Sequence, residues 1–196
     1  IYRGYYGRMC DWESAIDACY TFNGALVAFK RSEIQRIEDR RGADDANTAF
    51  EAIRRGRRAV YEIRAVVFEE IPEGIPKQYR QKVRRATGLI EATLNNLDLL
   101  RSDRPFSRFV YPLRIWMFLF TPAIFSAGSI LALLGLLLIA PLFAAVLVAG
   151  LAATMALFRT AFLNAFVFNQ ICLLMGLLKL GTDVRAWEST SRKSPN

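Results

Sequence analysis

Few residues in this sequence stand at spacings that could do chemistry. They fall into groups: three cysteines, two acidic pairs, three amides in an apolar setting and two basic runs. Cys10 and Cys19 are nine residues apart, which on one helix points them to roughly opposite faces, and Cys172 lies in an apolar block. No pair has metal-ligand spacing, and an odd count argues against a disulfide framework, so buried structural thiols are expected. The acidic pairs Asp44-Asp45 and Glu69-Glu70 fall at a helix start and a helix end. The helix dipole accounts for the first position and solvation for the second, with no spacing that suggests paired catalytic carboxylates. Histidine is absent. That zero removes histidine-dependent triads, His-ligated haem, most zinc and copper sites and the usual proton shuttle. Walker, Rossmann and nucleophile-elbow patterns are missing too. The expectation is a protein that is not an enzyme, with no metal.

Asn164, Asn169 and Gln170 are amides among apolar neighbours. Their ordinary use is hydrogen bonding between helices. An amide oxygen is also a hard donor suited to the magnesium of a chlorophyll, which makes chlorophyll, carotenoid or lipid the candidate bound groups. The basic runs are Arg54, Arg55, Arg57 and Arg58, then Lys77, Arg80, Lys82, Arg84 and Arg85. Each cation near an anionic leaflet is worth roughly 1 kcal/mol, so a contiguous face could hold anionic lipid or an acidic subunit. The bland alternative is a solvated helix face. Nucleic acid is not expected, because the runs lack interleaved aromatics and any recognised binding motif.

The elements that must carry these residues read as helices. Residues 1–10 form an aromatic, glycine-bearing lead, expected to be extended. Asp11 suits an N-cap for a helix over 12–41, closed by Gly42, with Gly24 and Lys30 interrupting its apolar positions. Asp44 or Asp45 caps a second helix over 46–70, whose stripe runs Phe50, Ile53, Val60, Ile63, Val67. Arg57 falls in that stripe, either snorkelling at its edge or paired with a carboxylate. Pro76 opens a third helix with Tyr79, Val83, Ala86, Ile90 and Leu94 at intervals of three or four. Three such stripes bury best against one another, so residues 11–104 read as a basic, soluble three-helix bundle.

Residues 105–180 read as a membrane domain. Residues 115–158 carry no Asp, Glu, Lys or Arg, about twice the ~20 apolar residues one span needs. A soluble core helix is seldom uncharged for so long. Ala140-Pro141 divides the block into spans over 115–138 and 142–158, and Arg108, Tyr111, Arg114, Trp116 and Arg159 are the interfacial anchors. A third apolar helix over 160–180 is either a further span or a helix lying in the interface or against a partner, the latter preferred because it keeps the basic head and the polar tail, 181–196, on one side. The fold class expected is therefore all-α: a soluble three-helix bundle, a transmembrane hairpin and a further apolar helix.

The net charge of +8 suits lipid or acidic protein partners beside such an anchor. A start at Ile1 reads as a processed or trimmed product. These features lead to a non-catalytic accessory or assembly subunit of a large organellar membrane complex. It would bridge other membrane subunits, with a photosynthetic complex of the plastid thylakoid preferred to a respiratory one of the mitochondrial inner membrane. A membrane-shaping hairpin or a small oligomeric channel or transporter is the alternative. The uncharged spans count against conduction.

Overall fold

The computed structural model describes residues 2–22, 24–34, 42–67, 74–157 and 161–181. Its helices are α1 (Tyr2–Ile16), α2 (Asp44–Arg54), α3 (Ile75–Leu94), α4 (Phe106–Ile139), α5 (Pro141–Leu157) and α6 (Ala161–Leu178), with a 3-10 turn at Leu97–Arg101.

The soluble three-helix bundle does not form. The lead expected to be extended is helical, and the chain leaves the helix after Ile16. The reason is Asp17, whose carboxylate accepts two bonds from Arg104, at 3.0 and 2.6 Å, and one from the Phe106 N–H at 3.2 Å. Beyond it residues 18–21 run without helix, and Cys19 N–H donates to Ala59 O at 2.8 Å. The second helix stops at Arg54, far short of residue 70. Gly56, with φ +75°, ends it: Gly56 N–H bonds Ile53 O and Arg57 N–H bonds Ala52 O, the paired closure of a Schellman motif. Val60, Ile63, Val66 and Val67 then follow outside any helix and stand exposed. Residues 35–41 and 68–73, including Glu69-Glu70, lie outside the described residues.

The head's core is aromatic. Tyr20 packs on Phe50 with ring centres 4.3 Å apart, Phe50 on Tyr111 at 5.3 Å, and Phe106 stacks on Tyr111 at 5.3 Å. All four rings are fully buried. Two of them belong to the first turns of α4, so the long apolar helix begins inside the head rather than beneath it. Its course contains two π-helical turns, Phe106–Val110 and Trp116–Phe120, each followed within two residues by a proline, Pro112 and Pro122. Proline offers no N–H to the preceding turn. Thr121 Oγ1 donates to Trp116 O at 3.2 Å, satisfying one carbonyl there.

Among the described residues one helix, Phe106–Ile139, is long and apolar enough to cross a membrane. Its 34 residues span about 51 Å. Only 6% of its most apolar stretch is buried, which is not how a soluble core helix sits. The hairpin partner α5 has 17 residues, about 26 Å, against a hydrocarbon thickness of ~30 Å. The third apolar helix, α6, packs along α3 and also touches α4. Gly176 makes the first contact possible: a Cβ there would lie 3.1 Å from both Ala86 Cβ and Thr87 N.

Candidate active site

The N-terminus of α2 is clamped onto α3 by close backbone approaches. Ala43 N–H donates to Gly88 O at 2.9 Å. Gly42, with φ +112°, sits where a Cβ would fall 2.5 Å from Ala92 N, so only glycine makes this turn. The clamp fixes the Asp44-Asp45 pair at the first turn of α2. Asp45 Oδ1 accepts from its neighbour Ala46 N–H at 2.8 Å. The loop at Gly24 closes over the same carboxylate, and a Cβ on Gly24 would stand 2.5 Å from Asp45 Oδ2. Burial pushes the Asp45 carboxyl above its ordinary value, against the backbone hydrogen bonds it accepts, Gly24's among them. Its carboxylate is half-buried and wedged against a glycine loop, with a raised tendency to hold a proton.

The basic run of α3 lies alongside. Helical spacing puts Lys77, Arg84 and Gly88 on one face, which is the face Ala43 meets. Lys82 stands on another side, its Nζ 4.7 Å from the centre of the Phe168 ring on α6. Arg80 and Arg85 are exposed.

The first basic run is engaged within the head. Arg54 bonds Asp98 at 3.0 Å and Asn96 Oδ1 at 2.9 Å, Arg55 bonds Glu51 at 2.8 Å, and Arg57 bonds Glu33 at 2.8 Å. Arg58 reaches the carbonyls of Asp17, at 2.7 Å, and Ser14. The expected anchors divide. Arg108 is exposed and pairs with Asp103 at 2.6 Å, and Trp116 is exposed, stacked on Phe120. Tyr111 and Arg114 are instead inside: the Tyr111 hydroxyl donates to Thr93 O at 2.6 Å, and Arg114 is ion-paired to a fully buried Glu13. Arg159 lies outside the described residues. Asn164, Asn169 and Gln170 ride on α6, with Gln170 buried.

Sequence reasoning gave Asp45 to a helix cap and Gly24 to a break in a helix, and it missed their meeting. The available signal was Gly42 directly before an acidic pair, with Gly24 opening an apolar run upstream.

The arrangement is a head with a half-buried carboxylate, built onto a long apolar helix. Residues 3–168 match Glycosyl transferase family group 2, and the chain belongs to that family. Among solved structures it is similar to the mannosyltransferase PcManGT from Pyrobaculum calidifontis, determined in complex with GDP-Man and Mn2+. The two are 25% identical, with a TM-score of 0.74 over 90% of this chain and 50% of that one. The chain thus spans about half the length of that structure. No curated protein matches the sequence.

These findings correct the functional expectations. A non-catalytic accessory subunit is overturned, because the family is one of glycosyltransferases, which are enzymes. Neither the family nor the neighbour gives any support for a thylakoid, plastid or photosystem setting. The all-α fold class falls as well: catalytic domains of this group are normally α/β.

Proposed function

We propose that this chain carries the general base and the membrane-proximal part of an enzyme that moves a sugar from a nucleotide diphosphate donor to an acceptor hydroxyl. The observation that carries the reading is Asp45. It is the carboxylate that the Gly42 turn and the Gly24 loop together hold half-buried, in a chain whose family transfers glycosyl groups. Asp45 takes the proton of the attacking acceptor hydroxyl, the sugar forms its new bond to that oxygen, and the bond to the donor phosphate breaks. Lys77 and Arg84, on the α3 face beside the α2 N-terminus, supply positive charge toward the departing diphosphate. The apolar helix α4, with α5, holds the head at a membrane surface, where an acceptor in or near the bilayer is within reach.

The neighbour's Mn2+ raises the question of whether these residues would hold such an ion. A hard divalent cation takes several oxygen ligands. Among the described residues no group of three carboxylates converges, and Asp45 already accepts backbone bonds. The present residues do not fit that ion by themselves, and no step is drawn through it. Exposed Leu26, Val27, Phe29, Val60, Ile63 and Val66 offer apolar surface for the remainder of a catalytic domain. That supports reading the chain as part of a larger unit.

The test is Asp45→Asn in the complete protein, assayed against a panel of nucleotide sugars. Turnover is expected to fall roughly 10²–10⁴-fold while donor binding changes little, as for loss of a general base. Since Asp45 must be ionised and its carboxyl is raised, the acid limb of the wild-type rate profile should lie above the ordinary aspartate value. Full activity in the Asn variant would sink the assignment.

A further inference from the structure

On α1 and the segment after it, the head buries a second group of reactive side chains. Cys10 and Glu13, one helical turn apart on α1, and Cys19, on the extended segment after it, bring their ligand atoms within 4.8 Å of one another. All three residues have no solvent exposure. Thr21 Oγ1 stands 3.8 Å from both sulfurs. Glu13 gives Oε1 to Arg114, but its Oε2 is buried with no hydrogen-bond partner. An orphaned carboxylate oxygen beside two thiols is expensive to keep unless something binds it.

We propose that Cys10, Cys19 and Glu13 form a structural zinc site, with the Thr21 hydroxyl at its fourth corner. Tetrahedral zinc with sulfur at ~2.3 Å and oxygen at ~2.0–2.2 Å separates its ligands by roughly 3.6–3.8 Å. The Thr21 distances already have that size, and the other three atoms, all within 4.8 Å of one another, need to close by at most about 1 Å.

Charge agrees. Without metal, the Glu13 carboxylate and the Arg114 guanidinium cancel and the thiols are neutral. On binding, the two thiol protons leave to solvent, two metal–sulfur bonds form, and no electron changes hands. Zn2+, two thiolates, one carboxylate and one guanidinium again sum to zero, as a buried site requires. Arg114 Nη2 lies 3.9 Å from Cys10 Sγ, placed to stabilise the thiolate from outside the coordination shell. Thiolate ligands select a borderline-soft ion, so this site is chemically distinct from one for Mn2+. It would staple the last turns of α1, the segment after it and, through Arg114, the root of α4.

The experiment uses the complete protein purified in detergent. Metal analysis after passage over a weak chelator should find one zinc per chain, lost in Cys19→Ser. Replacing zinc with Co2+ in the native protein should give the thiolate-to-cobalt charge-transfer band and tetrahedral ligand-field bands, a readout that does not depend on whether the variant folds. Three results would overturn the site: no zinc above buffer background together with no thiolate band, zinc retained equally in Cys19→Ser, or an intact mass showing Cys10 and Cys19 joined as a disulfide.

Discussion

Arg104 ties the root of the apolar helix to the head, and Arg104→Gln should loosen it by a predictable amount. Its guanidinium makes two bonds to the Asp17 carboxylate, at 3.0 and 2.6 Å. The same group bonds the carbonyls of Ile53, at 2.9 Å, and Arg57, at 2.8 Å. Glutamine removes the charge and cannot span these partners. Asp17, with 8% of its side chain exposed, would keep only the Phe106 N–H. Removing one partner of a buried pair costs ~3–5 kcal/mol. Arg104 is 21% exposed, so water reaches the vacated side and about 2–3 kcal/mol is the better expectation. For a domain of this size that is roughly 5–10 °C in the melting temperature. Intrinsic fluorescence of the detergent-solubilised protein would measure it.

The pH dependence gives an independent check on the same pair. Burial pushes the Asp17 carboxyl up, but Arg104, the Phe106 N–H and Arg58 outweigh it and hold the group below its ordinary value. A depressed carboxyl stabilises the fold above its unfolded value and loses that contribution as the pH falls through the folded one. The gap between wild type and Arg104→Gln should therefore shrink once the pH drops below about 4. A shift under ~2 °C at neutral pH, or a gap that ignores acid, would refute the reasoning.

Gly176→Leu should push α6 off α3, because the new Cβ meets the Thr87 backbone, which cannot yield; Cys172, 1% exposed in the intact fold, should then react markedly faster with a maleimide. Unchanged labelling would mean that α6 is held elsewhere. Leu131→Arg, at a position 68% exposed on the apolar half of α4, should cost ~2.5–3.5 kcal/mol of membrane insertion and raise the fraction released by alkaline extraction. No change in that fraction would show that this half of α4 does not lie in lipid.

What the sequence disclosed depended on which face of each element carried the signal. Helix α3 stands where Pro76 and the Val83–Ala86–Ile90 spacing place it, because an apolar stripe decides its packing. Helix α1 was invisible to the same reading. Its buried face is Gly7, Cys10, Glu13 and Ser14, a helical spacing of small and polar residues that no hydrophobic period reports. The opposite error came at residues 57–67, where Val60, Ile63 and Val67 continue a helical period beyond the Gly56 stop. There a single left-handed glycine outweighs three apolar residues, because the closing hydrogen bonds leave the chain no helical continuation. Arg114 was misplaced for a related reason. A cation at the head of an apolar run reads as an interfacial anchor, and only the fold reveals a buried glutamate 101 residues earlier.

The active-site reading failed at a different level. The base we propose, Asp45, is marked only by its surroundings, which come from Gly24, twenty-one residues upstream, and, through the Ala43 N–H, from Gly88, forty-three downstream. In the sequence Asp45 is one of two aspartates in a helix's first turn, a position the helix dipole explains without chemistry. The missing histidines then pointed the wrong way. Their absence removes triads and zinc hydrolases, but glycosyl transfer asks for one carboxylate base and positive charge near a leaving diphosphate, and neither needs an imidazole. The charge-free block of 115–158 contains most of the one described helix long and apolar enough to cross a membrane, and carries no information about catalysis. An anchor is compatible with an accessory subunit and with an enzyme alike. What separates them is the family match over residues 3–168 and the likeness to a solved mannosyltransferase, neither of which the apolar block carries by itself.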